Sequence, residues 1–253
     1  MINSSKLRMV DIVGNLNLIK DKISVACSRR PPEFSNVTPR LVAVSKTKPP
    51  NLVISALDAG QHHFGENYVN ELVDKGNHPD IKTRDIRWHF IGHLQRNKVN
   101  KVLAVPNLHV IETVDSEKLA AAIDSSWLKF RKLEDDKLNV MVQVNTSGEE
   151  EKSGCDLGQT SALVKYVIES CKNLNFMGLM TIGAYGYNPA NGPNPDFLSL
   201  VKCREDVCRE LGLDINNVEL SMGMSTDYEH AIELGSSNVR VGSAIFGERP
   251  SKA

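Results

Sequence analysis

Leu41-Val42-Ala43-Val44-Ser45-Lys46 is an almost wholly apolar run, and Pro49-Pro50 closes it three residues later. Such β-favouring residues predict a buried strand, and the paired prolines forbid its continuation. Because side chains alternate along a strand, Val42, Val44 and Lys46 share one face. A lysine on a buried face loses hydration, its pKa tends to fall, and its neutral amine becomes a usable nucleophile. The alternative is a lysine that extends from the strand end into solvent.

Seven further runs of apolar or β-favouring residues follow, and the starts of successive runs lie roughly 28 residues apart. They cover 62–67, 87–92, 109–114, 139–145, 176–182, 218–224 and 238–246. Helical patterns lie between the runs, at 51–59, 68–75, 94–105, 117–132, 159–172, 197–211 and 226–234. This spacing is that of a strand, a crossover helix and two loops.

Eight strand–helix units in 253 residues predict an α/β fold, namely a closed (β/α)8 TIM barrel. An open doubly wound sheet is the alternative, but no G-x-G-x-x-G motif follows the first strand. An extra N-terminal helix is predicted at roughly 5–28, before the first strand. No linker divides the chain, so we expect a single domain over 1–253.

The charge of the chain is balanced, with 30 Lys and Arg against 31 Asp and Glu. This balance gives no support for a nucleic acid or a membrane surface as a partner. No apolar stretch reaches the length of a membrane span, and the N-terminal segment mixes charged and apolar residues, unlike a secretory signal. We therefore expect a soluble, cytoplasmic protein.

The cysteines and histidines form no metal-binding pattern in the sequence. The five cysteines are odd in number and contain no C-x-x-C pair, so they are predicted to be reduced packing residues. His89 and His93 have the i, i+4 spacing of zinc ligands on a helix. However, 87–92 is predicted to be a strand, on which that spacing has no such meaning. We expect no metal site.

Polar residues collect where the predicted strands end, which is where TIM barrels form their active sites. Asn67 ends strand two, Ser221 lies in strand seven, and Ser225 and Thr226 open the next helix. That helix start has two interpretations. Thr226 caps the helix in a capping box with Glu229, or the free amides bind a phosphate group.

Strand eight adds Gly242 and Ser243, whose backbone amides can approach an anion closely. A phosphate cradle opposite the amine of Lys46 suits pyridoxal 5′-phosphate, or a sugar phosphate in a Schiff-base aldolase. Arg240 shares a face with Gly242, and a guanidinium aimed at a pyridine nitrogen would keep that nitrogen unprotonated. The alternative for Arg240 is a buried ion pair with Glu219.

The segment 183–195 follows strand six and is too rich in Gly, Pro and Asn for a helix or a strand. In a barrel it would lie on the same face as the strand ends. It is therefore either a lid over the site or a tolerated insertion, and we expect the insertion.

Six blocks of the sequence resemble the pyridoxal phosphate homeostasis proteins, in the order that this family carries them: 41–49, 64–68, 88–98, 143–150, 220–225 and 239–247. The resemblance implies a barrel like the N-terminal domain of alanine racemase, with pyridoxal phosphate held as a Schiff base on Lys46. It also implies that Arg240 faces the pyridine nitrogen and that Asn67 lies near the cofactor. The implied phosphate contacts are Ser221, Ser225, Thr226, Gly242 and Ser243.

The family points to a cofactor-binding protein that acts in intracellular vitamin B6 and amino-acid and keto-acid homeostasis, and that delivers the cofactor to apoenzymes. The alternative is a racemase of low activity, which needs a second base on the opposite face of the cofactor. The sequence ends at Ala253, so we expect no further domain, and Tyr68, Tyr185 and Tyr187 are the candidate bases. We expect a monomeric binding protein rather than an enzyme. A Schiff-base aldolase that uses Lys48 is the remaining alternative.

Overall fold

The computed structural model of the chain describes residues 10–34 and 37–248. Its strands are β1 (Arg40–Val44), β2 (His63–Glu66), β3 (Arg87–Phe90), β4 (Leu108–Val114), β5 (Leu138–Gln143), β6 (Leu174–Met180), β7 (Glu219–Met224) and β8 (Asn238–Val241). They pair in parallel and in chain order, and β8 returns to pair with β1, so that the sheet closes into a barrel. The predicted (β/α)8 barrel is confirmed, and the eight predicted strands all exist.

The helices described are α1 (Ile12–Ser28), α2 (Pro50–Asp58), α3 (Val69–Gly76), α4 (Pro79–Lys82), α5 (Val99–Leu103), α6 (Glu117–Trp127), α7 (Thr160–Ser170), α8 (Pro195–Leu211), α9 (Tyr228–Glu233) and α10 (Ser243–Phe246). Each crossover between successive strands carries at least one of them, which is how parallel strands are joined. Among the described residues, no helix is both long and apolar enough to cross a bilayer.

The extra N-terminal helix is confirmed over Ile12–Ser28, and the predicted part before residue 10 lies outside the described residues. This helix packs on the outside of the barrel against α2, α9 and α10. The side-chain amide of Asn15 donates to the Ile245 carbonyl over 2.9 Å, and Lys22 pairs with Glu229 over 3.1 Å. The first helix therefore braces the last two helices of the barrel.

Several predicted boundaries are wrong. The helix predicted over 94–105 begins only at Val99, and the helix predicted over 117–132 ends at Trp127. The strand predicted over 238–246 ends at Val241, because the Gly242 carbonyl accepts hydrogen bonds from the amides of Ile245 and Phe246 and so starts α10. Helix α9 begins two residues later than predicted, since Asp227, rather than Thr226, is its N-cap residue. The predicted capping box of Thr226 is therefore absent, and Thr226 lies exposed in the preceding turn.

The two faces of the barrel strands carry different kinds of buried side chain. Outward-facing residues such as Leu41, Ala43 and Phe64 join the apolar core between the sheet and the helices. The interior of the barrel holds a small apolar cluster together with buried ionisable groups: Val110, Met141, Met180, His89, Glu112 and Arg240. All five cysteines are free thiols, as predicted.

Candidate cofactor site

Four neighbouring strands, β7, β8, β1 and β2, bring the predicted site residues together at their carboxyl ends. Val44 of β1 pairs with Gly65 of β2, so Lys46 and Asn67, two residues further on, lie at the same level. On the other side of β1, Val42 pairs with Arg240, which places Gly242 beside Val44. The sequence-predicted lysine thus lies between Asn67 and the end of β8.

Lys46 itself is half-buried, just beyond the end of β1. The next residue, Thr47, has a φ of 64°, a left-handed conformation that turns the chain sharply towards Pro49. The carbonyl of Ser45 accepts the amide of Lys48 over 3.0 Å across this turn. The turn keeps Lys46 next to the carboxyl end of β1, at the barrel mouth.

Gly242 and Ser225 join the ends of β8 and β7. The Gly242 amide donates to the Ser225 hydroxyl over 3.0 Å. A Cβ atom at Gly242 would lie 3.1 Å from the Val44 carbonyl oxygen and 3.3 Å from the Val44 Cβ, so the backbones of β8 and β1 approach closely here. Ser243, at the start of α10, is exposed next to them.

Arg240 lies deeper in the barrel and is almost fully buried. Its guanidinium donates to the Ser221 hydroxyl over 2.5 Å and to the Thr181 carbonyl over 2.7 Å. Ser221 in turn donates to Glu112 over 2.6 Å. The hydroxyl of Ser221 is therefore engaged with Arg240 and Glu112 below the strand ends, whereas Ser225 lies at the mouth. The proposed alternative of an Arg240–Glu219 ion pair is wrong, because Glu219 pairs with Arg40 over 2.5 Å.

Glu112 is the fully buried centre of this interior network. Its carboxylate accepts hydrogen bonds from His89 over 2.6 Å and from Asn238 over 3.1 Å, in addition to that from Ser221. Burial alone would raise the pKa of Glu112, but the hydrogen bonds and the nearby Arg240 outweigh it and lower the pKa to about 2. Burial in turn lowers the pKa of Arg240, and the charge of Glu112 opposes that effect. Glu112 was not predicted from the sequence, because its partners are distant in the chain.

A second network, also missed from the sequence, lies behind Lys46 on the outer face of β1. Lys75 of α3, itself buried, donates to Glu66 over 2.7 Å, to Glu71 over 2.9 Å and to the Ser45 carbonyl over 2.8 Å. The Ser45 hydroxyl donates to Glu66 over 2.6 Å, and the Thr47 amide donates to Glu71 over 2.7 Å. Burial raises the pKa of Glu66, and the charge of Lys75 opposes it. These bonds hold both residues that flank Lys46.

The tyrosines considered as candidate bases differ in their surroundings. Tyr68 is 52% exposed and Tyr185 is 81% exposed. The Tyr187 hydroxyl donates within its own loop, to the carbonyls of Gly192 and Pro193, both over 3.3 Å. That loop, 183–195, is tied to the start of α8, where Asp196 accepts the amide of Ala184 over 2.6 Å. A structural role for Tyr187 follows from its contacts.

The comparison with known proteins identifies the family. The sequence matches the family of the alanine racemase N-terminal domain over residues 26–250. A human relative, named pyridoxal phosphate homeostasis protein, is 52% identical over 236 residues, which are 92% of this chain and 85% of the relative. This chain belongs to the pyridoxal phosphate homeostasis protein family. The family resemblance seen in the sequence is thereby confirmed.

Solved structures of this family and of its wider fold class resemble the chain as well. PipY of Synechococcus elongatus, solved with PLP bound, has a TM-score of 0.74 and 28% sequence identity, over 93% of this chain and all of PipY. An alanine racemase of Corynebacterium glutamicum has a TM-score of 0.65 over 94% of this chain and 63% of its own. At 16% identity, the likeness to the racemase concerns the fold alone.

The residues present fit pyridoxal phosphate, the cofactor that the family implies. Asn67 has a buried side-chain oxygen without a hydrogen-bond partner, at the level of Lys46. A Cβ atom at Gly242 would crowd the Val44 carbonyl oxygen, so the glycine lets the backbone at the end of β8 lie close to β1, next to Ser225. The amine of Lys46 suits the aldehyde of the cofactor, and the buried guanidinium of Arg240 suits its ring nitrogen. The hydroxyl of Ser225 and the neighbouring backbone amides suit its phosphate.

Proposed function

We propose that this chain binds pyridoxal 5′-phosphate as a Schiff base on Lys46. We further propose that it acts as a holder of the cofactor in intracellular vitamin B6 and amino-acid and keto-acid homeostasis. The observation that carries the proposal is the convergence of Lys46, Asn67, Ser225, Arg240 and Gly242 on the ends of four contiguous strands. Bound pyridoxal phosphate supplies an aldehyde that amines attack and a ring that withdraws electrons.

In this proposal, each side chain of the site has a distinct task. Lys46 would hold the cofactor through its amine, and the cofactor would supply the aldehyde with which that amine condenses, with loss of water. The hydroxyl of Ser225 and the amides of Gly242 and Ser243 would hold the phosphate, with the exposed Thr226 beside them. Asn67 provides a side-chain amide beside the attached carbon.

Arg240 favours binding over strong catalysis. A guanidinium beside the pyridine nitrogen keeps that nitrogen unprotonated, which weakens the electron withdrawal on which racemases and transaminases depend. Ser221 and Glu112 hold Arg240 in place. In this proposal, Ser221 does not contact the cofactor but positions the guanidinium of Arg240. The whole chain, 1–253, would act as one cytoplasmic, monomeric cofactor-binding domain, with cofactor-accepting apoenzymes as partners.

The experiment that tests the proposal compares Lys46→Ala with Lys48→Ala. The protein is incubated with pyridoxal phosphate and reduced with borohydride, and its peptides are mapped by mass spectrometry. We expect the wild type and Lys48→Ala to gain the pyridoxyl mass on the peptide that contains residue 46. We expect Lys46→Ala to gain none while its circular dichroism is unchanged. A borohydride-stable label on Lys46→Ala at the wild-type level would refute the assignment.

A further inference from the structure

A cluster of three histidines lies at the opposite end of the barrel, where the strands begin. His63 is the first residue of β2, His109 is the second residue of β4, and His89 lies in β3 between them. One nitrogen atom of each ring lies within 4.8 Å of the others. The ring centroids are 5.1, 5.3 and 5.4 Å apart, so the three rings form a nearly equilateral triangle. His63 and His109 have no part in the proposed cofactor chemistry.

We propose that His63, His89 and His109 form a binding site for a divalent transition-metal ion, and that the donor set suits Zn²⁺. Imidazole nitrogen is a preferred ligand of zinc, and three protein ligands with a water molecule complete a tetrahedral coordination sphere. The two proposed sites lie at opposite ends of the strands and share no ligand residue, so each can be tested without the other.

Glu112 orients His89 in the way that metal sites require. The Nδ1 atom of His89 lies 2.6 Å from a Glu112 carboxylate oxygen, and so donates its proton there. The lone pair of the ring is then on Nε2, which lies 2.8 Å from Nδ1 of His63. A carboxylate behind a histidine is the usual second partner of a zinc ligand, because it fixes the tautomer and makes the ring more basic.

The charges around the cluster permit a cation. The buried carboxylate of Glu112 lies 2.6 Å from the His89 ring and places a negative charge beside the cluster. Arg40 is neutralised by its pair with Glu219. Arg87 lies 3.4 Å from the outer nitrogen of His63, but half of its side chain is exposed, which leaves it free to turn into solvent.

The ligand nitrogens lie within 4.8 Å of one another, so zinc binding needs them to move by at most about 1.5 Å relative to one another. Zinc–nitrogen bonds of about 2.0–2.1 Å at a tetrahedral angle separate two ligand nitrogens by about 3.3 Å, against 2.8 Å between His63 and His89. His63 and His109 are half-buried, so their rings can move, whereas His89 is fixed. His109 also lines a cleft of about 450 Å³, which offers a path for the ion and its water.

The ligand partners of His89 differ from those that the sequence spacing suggests. His93 lies elsewhere, 3.3 Å from the Ser153 hydroxyl and 3.6 Å from Asp115. Among the histidines, the prediction of no metal site rested only on the pair His89 and His93. The partners of His89 come instead from the neighbouring strands, 26 residues before it and 20 residues after it.

The test is equilibrium dialysis of the full chain against Zn²⁺, followed by elemental analysis. The variants are His63→Gln and His109→Gln, both at half-buried positions. The controls are His62→Gln and His93→Gln, which alter histidines outside the cluster. We expect the wild type and the controls to bind one zinc ion, and each cluster variant to bind it at least about tenfold more weakly. No zinc on the wild type, or equal affinity in all variants, would overturn the proposal.

A second readout keeps the proposal testable if a variant folds poorly. Co²⁺ is added to Lys46→Ala, which removes the absorption of an attached cofactor from the visible region. A tetrahedral cobalt spectrum that Zn²⁺ abolishes supports the three-histidine site. The absence of such a spectrum at saturating Co²⁺ contradicts it. Loss of cofactor binding alone leaves both zinc measurements unchanged, so the failure of one proposal is distinguishable from the failure of the other.

Discussion

Lys46 owes its position to the residues before and after it. Ser45 turns outwards and joins the buried carboxylate of Glu66, while Thr47 adopts a left-handed conformation and donates its amide to Glu71. Both neighbours of the lysine are therefore fixed by hydrogen bonds to Glu66 and Glu71. The backbone that carries the lysine side chain is thus preorganised before a ligand binds. Preorganisation of this kind lowers the entropic cost of binding.

Ser225 is the residue whose change best separates phosphate binding from aldehyde chemistry. We predict that Ser225→Ala weakens the affinity for pyridoxal phosphate by about tenfold or more, because a hydrogen bond to a charged group contributes roughly 1.5–3 kcal/mol. The affinity for pyridoxal, which lacks the phosphate, should stay within about twofold. Titration of both ligands by absorbance measures this, with Ser55→Ala on α2 as control. Equal losses for both ligands would remove Ser225 from the phosphate site.

The position of a single residue was predictable where the alternation of side chains along a strand alone determines which face of the strand it lies on. The inward face of Arg240 follows from alternation along β8, and that of its partner Val42 follows from the same rule along β1. Glu112 and Ser221 bond across 109 residues of sequence, and Arg40 and Glu219 pair across 179. Such pairs depend on which strands are opposite each other inside the barrel, and no local pattern carries that information.

Helix α3 is attached to the site by one buried cation. Lys75 reaches from the last turn of α3 to the end of β2 and to the carbonyl of Ser45 at the end of β1. Its side chain is 5% exposed and that of Glu66 is fully buried, so this ion pair is held in a medium of low polarity. Removing one partner of a buried pair leaves the other charge uncompensated.

We predict that Lys75→Met lowers the free energy of unfolding by about 3–5 kcal/mol, because it leaves the Glu66 carboxylate buried without its cation. Urea unfolding followed by circular dichroism measures the loss. The double variant Lys75→Met with Glu66→Gln should recover part of it, since no unpaired charge remains. The control is Lys202→Met on α8, where the lysine also has two acidic partners but its side chain is 62% exposed. If both lysine variants lose equal stability, the buried pair has no special role.

The ends of strands and helices were predictable where the local sequence pattern determines them. They were not predictable where hydrogen bonds in the folded structure determine them. The start of β7 agrees within one residue because its apolar run is long. The end of β8 was mispredicted because Val239–Phe246 reads as one apolar run, whereas the amides of Ile245 and Phe246 bond back to Gly242. Likewise, the Thr226–Glu229 pattern favours a cap, but Asp227 takes the cap position and its carboxylate accepts the Met224 amide over 2.6 Å.

At the scale of the whole molecule, the proposed site lies across the seam where the first and last strands of the barrel meet. Strands β1 and β8, the first and last of the barrel, pair along Arg40 to Ala43. Lys46 belongs to one side of this seam, and Ser225, Gly242 and Ser243 belong to the other. A ligand that contacts both sides therefore links the first strand to the last two, and it adds to the bracing that α1 supplies from outside.

This arrangement predicts that the cofactor stabilises the entire barrel. A ligand at 100 times its dissociation constant adds about 2.7 kcal/mol to the folded state, and for a chain of 253 residues this raises the Tm by about 5–10 °C. We predict that rise for the wild type and for Lys48→Ala with pyridoxal phosphate, in a single cooperative transition. Lys46→Ala should show a much smaller rise, because only the phosphate and ring contacts remain to it. Calorimetry at matched cofactor concentrations measures all three proteins. If the transition splits and the Tm of only one part rises, the ligand stabilises only a local segment. The ligand would then not link β1 to β7 and β8.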